Sequence, residues 1–225
     1  MYDRMFDGKA YQFGVIGAVN GALVLYDKQT QSRWSQLFGK AMEGPMAGRR
    51  LEKVPSTMTT WGQWRQLHPT TTVYVKPTAY SRRFTAAHFA QIAKGGRGPI
   101  QPEDLVLGFE GDVQARAYLV RRLAPQRLVH DTFEKAPILL YLSRDYATAR
   151  IFSCVIDERT LHFTLTEDEV LQDEETESSW HPVTGEATAG PLQGRQLQSV
   201  ISTFSLWFAW HGYRPDTQLY SEEAE

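Results

Sequence analysis

The chain has 225 residues, of which 42% are hydrophobic, 12% aromatic and 22% charged, enough apolar material for a buried core and too much for a disordered chain. Lys and Arg number 24 against 26 Asp and Glu, so the net charge is −2 and no bulk positive field exists for non-specific nucleic-acid binding. The single cysteine, Cys154, excludes an internal disulfide, a cysteine-rich zinc site and an iron–sulfur cluster.

Met1 to Phe13 carries Asp3, Arg4, Asp7 and Lys9 and no apolar run, so it does not read as an export signal. No stretch reaches the roughly 18 consecutive apolar residues of a membrane span. Tyr2–Phe13 reads as a strand, a turn at Asp7-Gly8 and a strand. Leu23–Tyr26 is the next strand, and Asp27–Thr30 a polar turn whose side chains can bond nearby amides. Gln31–Trp34 then alternates, with Ser32 and Trp34 on one face and Gln31 and Arg33 on the other. Gly39, Gly44-Pro45 and Gly48 mark successive turns with special backbone angles. They fit neither a P-loop nor a dinucleotide fingerprint, since no Lys-Ser/Thr follows. Thr57–Leu67 reads as a short helix, capped by Thr57, Thr59 or Thr60 and stopped by His68-Pro69. Its Trp61 and Trp64 share a face, which is expected to pack on a sheet.

Lys76–Pro102 is rich in Gly, Arg and Pro and reads as a surface connection, with one helical turn near Ala86–Ile92. Leu105–Tyr118 alternates about Glu110-Gly111 as a β-hairpin, and Leu119–Leu123 is a short helix or an extension of it. Pro137–Leu142 (PILLYL) is a buried strand. From there the sequence repeats itself. Phe152–Phe163 resembles Tyr2–Phe13, and Asp173–Tyr220 aligns with Asp27–Tyr74 at a constant offset, 19 of 48 positions being identical. The identities include three Trp pairs: Trp34/Trp180, Trp61/Trp207 and Trp64/Trp210. Ser205 is the expected cap of the second helix. The second copy has Pro137–Leu142 ahead of it and the first has only Met1. The first copy is therefore expected to lack its leading strand, or to have that place filled by another segment. An open apolar groove there would favour a homodimer or donor-strand pairing.

These elements predict a β-rich α+β fold in which two pseudosymmetric repeats share one domain over residues 1–225. Repeat one is 2–75, the connection and hairpin 76–136, repeat two 137–220, and 221–225 (SEEAE) a frayed acidic tail. The paired motif supplies the candidate site: Asp27, Thr30, Ser32 and Trp34, with Asp173, Thr176, Ser178 and Trp180. Two readings stand. Each set fixes a hairpin turn and anchors a core, or each lines a polar pocket beside an indole. No catalytic set, metal site or cofactor is expected. The six histidines lack H-x-x-x-H and H-E-x-x-H spacing. His130-Asp131 could pair a base with an orienting carboxylate, but two adjacent residues seldom face each other in a strand. Cys154 reads as a small buried residue. Glu167–Glu177 lacks EF-hand spacing and reads as a solvated loop.

Several motifs resemble the bacterial and archaeal family grouped as domain of unknown function 3179. They are Phe13-Gly14-Val15 with Gly17, the Asp-x-x-Thr-x-Ser-x-Trp and Gly-Pro-x-x-Gly-x-x-Leu segments of both copies, and Trp61-x-x-Trp64 with His68-Pro69. Val106-Leu107-Gly108, Ala115-Arg116-Ala117-Tyr118, Asp131-Thr132 and Trp207-Phe208-Ala209-Trp210 complete the set. The resemblance implies no nameable activity. It implies an exported or lipid-anchored protein with a Cys-containing stretch ahead of the segment matching Tyr2-Asp3-Arg4. Leu142-Ser143 stands where a similar cysteine would fall in the second copy. The leading expectation is a non-catalytic module of the cell envelope that binds a small molecule or a protein, with no nucleic acid. The alternatives are a hydrolase-like enzyme using Asp27 or Asp173 with a histidine of the other copy, and a purely structural scaffold.

Overall fold

The computed structural model describes residues 1–19, 22–73 and 100–221. The helical turn expected near Ala86–Ile92 and most of the acidic tail lie outside these residues. The chain is β-rich α+β. Strands β1 (Met5–Phe6) and β2 (Lys9–Ala10) form a hairpin whose turn residues Asp7 and Gly8 have φ of +47° and +74°. Two positive φ values are what a type I′ turn requires. An antiparallel meander follows: β3 (Phe13–Val19), β4 (Ala22–Asp27), β5 (Arg33–Ser35) and β6 (Lys40–Glu43). The expected alternation holds, Ser32 and Trp34 being buried and Gln31 and Arg33 exposed. Helix α1 (Trp61–Leu67) is capped by Thr60, whose side chain accepts from the Gln63 amide. His68 closes it.

The middle of the chain supplies two sheets. β7 (Leu105–Glu110) and β8 (Ala115–Leu119) are the expected hairpin, followed by α2 (Val120–Leu123). β9 (Leu128–Phe133), β10 (Ala136–Leu142) and β11 (Ala149–Ser153) are antiparallel neighbours. A second hairpin, β12 (Val155–Ile156) and β13 (Arg159–Thr160), turns at Asp157 and Glu158, with φ of +48° and +65°. A second meander contains β14 (Phe163–Leu165), β15 (Leu171–Asp173), β16 (Ser179–Trp180) and β17 (Ala187–Ala189). The chain ends with β18 (Ser199–Val200), β19 (Ser202–Leu206), α3 (Trp207–Tyr213) and β20 (Gln218–Leu219). β18 extends the sheet to the order β18-β11-β10-β9. β19 and β20 flank the β7–β8 hairpin in the order β19-β7-β8-β20, with β20 parallel to β8.

Both of these sheets are covered on two faces. Ile138, Leu140 and Leu142 of β10 join Leu107 and Tyr118 in one core, while Leu139 joins Phe152, Leu171 and Trp180 in another. Burial on both faces is why PILLYL is a continuous apolar run instead of an alternating one. Likewise Val106, Ala117 and Leu119 turn away from that first core, toward Phe38 and Trp210.

The structure differs from the sequence reading at four places. Helix α1 begins at Trp61 and not at Thr57, because Thr60 takes the cap position. Ser205 does not cap α3: it lies in β19, paired with Val106, and Leu206 at the cap position makes no side-chain cap bond. The two Trp-bearing helices also pack differently. α3 buries Ala209 and Trp210, and the Trp210 ring covers Gly108, where a β-carbon would come within 2.6 Å of it. α1 buries none of its residues, and Trp61 is 44% exposed. Finally, Glu167–Glu177 is not a free loop. It contains β15, and its Glu169 pairs with Arg127.

Beside the first hairpin, Met1–Asp3 pairs with Glu52–Val54 through Asp3 N–H to Glu52 O (2.9 Å), Val54 N–H to Met1 O (3.0 Å) and the Tyr2–Lys53 bridge. The sequence-matched β11 and β18 pair in the same register, Phe152 opposite Ser199. β10 lies along the other side of β11, whereas no strand among the described residues lies along the other side of Met1–Asp3. No described helix is long and apolar enough to cross a membrane.

Candidate functional site

The eight motif residues form two separate clasps, one in each meander, instead of one joint pocket. In the first, the turn after β4 places Asp27 under Thr30 and Trp34. The Asp27 carboxylate accepts from the Thr30 amide (2.5 Å), the Thr30 hydroxyl (2.9 Å) and the Trp34 indole Nε1–H (2.8 Å). Ser32 Oγ lies 2.6 Å from Thr30 Oγ1 and accepts from the Met46 amide at 3.0 Å. Asp173, Thr176, Ser178 and Trp180 make the same bonds, with Leu192 in the place of Met46, at 2.6, 2.8, 2.8, 2.7 and 3.0 Å. Asp27, Ser32 and Trp34 are buried, as are Asp173, Ser178 and Trp180. Burial pushes the Asp27 carboxyl up, but the donors from Trp34 and Thr30 outweigh it and hold it below the ordinary carboxylate range. Gly44 and Gly190, at φ of +90° and +92°, bring the next turn onto the serine: a β-carbon there would meet the Ser32 or Ser178 Cα at 2.8 or 2.7 Å. A chemical consequence follows. The polar atoms of each clasp are spent on one another, and neither aspartate has a histidine partner among the described residues.

A cleft of about 640 Å³ opens elsewhere, between the β7–β8 hairpin, β9 and the β12–β13 hairpin. Arg116 of β8 grips Asp131 of β9 through Nε and Nη2, both at 3.0 Å. Tyr118 donates its hydroxyl to the same carboxylate at 2.6 Å, and the Thr132 amide adds a fourth bond at 2.7 Å. Burial and the Asp131 acceptor push the Tyr118 hydroxyl well above the usual phenol range. The Arg116 guanidinium lies 5.5 Å from the Tyr220 ring centroid and 5.7 Å from that of Phe133, within cation–π reach.

On the opposite side of β9, His130 Nε2 accepts the Phe163 amide at 3.0 Å, so its proton belongs on Nδ1. Burial, and then the neighbouring His162, lower its pKa. The His162 ring stands 6.0 Å from that of His130 and shares a 2.7 Å bond with Glu175, which raises the His162 pKa. Cys154, also on the cleft wall, is buried, and burial followed by Glu175 pushes its thiol up to about 12. A thiol so raised is protonated at neutral pH and is a poor nucleophile.

His130 and Asp131 thus point apart, as adjacent strand residues should. Sequence reading did not find this cleft as a site. Its central strand β9 (LVHDTF) has no clean apolar–polar alternation and was not assigned as a strand. Its other members, Arg116, His162 and Tyr220, arrive from three distant parts of the chain. Among the described residues, no group of three His, Cys, Asp or Glu side chains could hold a metal ion. No curated protein and no solved structure matches the chain. A family model described as "Protein of unknown function (DUF3179)" matches residues 1–217, nearly the whole length, and the chain belongs to that family.

Proposed function

We propose that the chain is a non-catalytic binding module of the cell envelope, built from two copies of one hairpin-and-helix unit within one domain. In this reading the Asp-Thr-Ser-Trp clasps are scaffold, and the cleft at Arg116, His130, Asp131, His162 and Tyr220 receives a small molecule or a segment of protein. The two-copy reading is supported by the gapless sequence match and by clasp bonds that recur at nearly equal lengths. The envelope location rests on the family resemblance alone.

The observation that carries the binding reading is the state of the cleft's charged groups. Arg116 is fixed by Asp131 and His162 by Glu175, which gives an oriented polar wall beside an aromatic ring. Fixed donors and a half-buried ring suit recognition. The hydrolase alternative needs Asp27 or Asp173 beside a histidine, and each carboxylate is instead filled by its own turn and indole.

Native mass spectrometry of the purified protein tests this. A stoichiometric adduct is expected, retained in Ser32→Ala and Ser178→Ala and lost in a His162→Ala, Thr160→Ala variant of the cleft. A bare protein, or an adduct lost with Ser32→Ala while the fold persists, would overturn it. The same spectrum reads the homodimer that an open edge beside Met1–Asp3 would favour.

A further inference from the structure

A second cleft, of about 370 Å³, lies between β5, β6, the end of β7 and the C-terminus of α3, and its charge is out of balance. Its one lining carboxylate, Glu110, is 10% exposed and already holds Lys53 Nζ at 2.6 Å and Arg214 Nη1 at 2.7 Å. Arg50 reaches the same carboxylate only at 3.5 Å and is half exposed. Lys40 makes no ion pair among the described residues. Lys40, Arg50, Lys53 and Arg214 are thus four cations against two carboxylates, Glu110 and the Asp216 that flanks Arg214. The excess is two positive charges.

The two cations that Glu110 engages least face one another. Lys40 and Arg50 are direct partners in an antiparallel bridge, and both side chains line the cleft. Like charges directly opposite each other across strands are destabilising unless something lies between them. The unit does not need them there. The sequence-matched bridge of the second meander is Glu186 opposite Gln196, with the same backbone pairing and no cation. Phe38 and Tyr213, with ring centroids 5.6 Å apart, give the cleft an aromatic floor.

We propose that this cleft binds a compact dianion carried on a small apolar body, of the phosphomonoester class, with Lys40 and Arg50 as its principal contacts. Two cations match the charge of a phosphomonoester at neutral pH, and Arg supplies forked donors to its oxygens. The site is separate from the larger cleft, so its success or failure is independent of the reading above.

Phenyl phosphate is the probe, followed by isothermal titration calorimetry on the intact chain. One-to-one binding that weakens as salt rises is expected. Inorganic phosphate should bind more weakly, since it leaves the aromatic floor uncovered. The variant K40E/R50Q installs the residues that the second meander carries at this bridge, so it should fold. It should lose affinity by at least about tenfold while its Tm stays level or rises. Absence of saturable phenyl phosphate binding, or equal binding by the variant, would overturn the site. Equal binding of phenyl phosphate and inorganic phosphate would overturn the apolar body.

Discussion

At the scale of single residues, the clasp has a forced proton order. The Thr30 hydroxyl gives its one proton to Asp27, so the short contact to Ser32 must be filled by the Ser32 proton, which leaves the Ser32 lone pairs for the Met46 amide. Removing that hydroxyl strands one half-buried amide and one hydroxyl. Ser32→Ala and Ser178→Ala should each cost about 1–3 kcal/mol, read as a lower midpoint in urea. The Asp27 carboxyl, held below its ordinary range, contributes stability that is full above the unfolded carboxylate pKa and fades as pH falls through the folded value. The acid limb of the stability curve should therefore flatten in Asp27→Asn, with lower stability at neutral pH; an unchanged limb would contradict this. The clasp was legible in sequence because Asp27, Thr30, Ser32 and Trp34 span only eight positions and recur. The ring of cations about Glu110 was not, because Lys53 and Arg214 lie 57 and 104 positions away from it.

At the scale of elements, like sequences acquire unlike environments. α1 and α3 share a Trp-x-x-Trp pattern and similar C-caps. In each, the second Trp donates its indole N–H to a threonine, Trp64 to Thr71 at 3.1 Å and Trp210 to Thr217 at 2.9 Å. Yet Trp210 is sealed against Gly108 and Phe38, and the first tryptophan of α1 faces outward. Trp210→Ala should cost about 3–5 kcal/mol, whereas Trp61→Ala should stay within about 0.5 kcal/mol of wild type in thermal unfolding. Where the helices stop was readable because proline stops are local; where they start was not, since Ser205 is taken into β19 and α1 begins only after Thr60. Helix burial was not, since it depends on which sheet arrives from elsewhere. The parallel β20 escaped for the same reason: its partner β8 lies far back along the chain, so its own residues carry little of its pairing.

At the scale of the whole molecule, the two sequence copies are tied across one another. Phe38 of the first packs on Trp210 and Tyr213 of the second at 5.3 and 5.6 Å, and Tyr213 donates to the Val19 carbonyl at 3.2 Å. Thr57 accepts from Arg150 at 2.6 Å, and Thr148 bonds Thr59 at 2.8 Å. Glu110 joins Lys53 to Arg214. A unit whose contacts are exchanged in this way should unfold in one cooperative transition, with fluorescence and circular dichroism midpoints coincident. Phe38→Ala should cost about 3–5 kcal/mol of stability without splitting that transition. Two separate transitions would show that the copies fold independently.

The indole bonds to Asp27 and Asp173 have a spectroscopic consequence. Each is a buried N–H donated to a buried carboxylate, one in each meander. Such protons resonate downfield and exchange slowly with deuterium, so among six tryptophans two should stand apart in a nitrogen-15 correlation spectrum. Each reports the integrity of one hairpin alone, and their relative exchange rates would say which half of the molecule opens first.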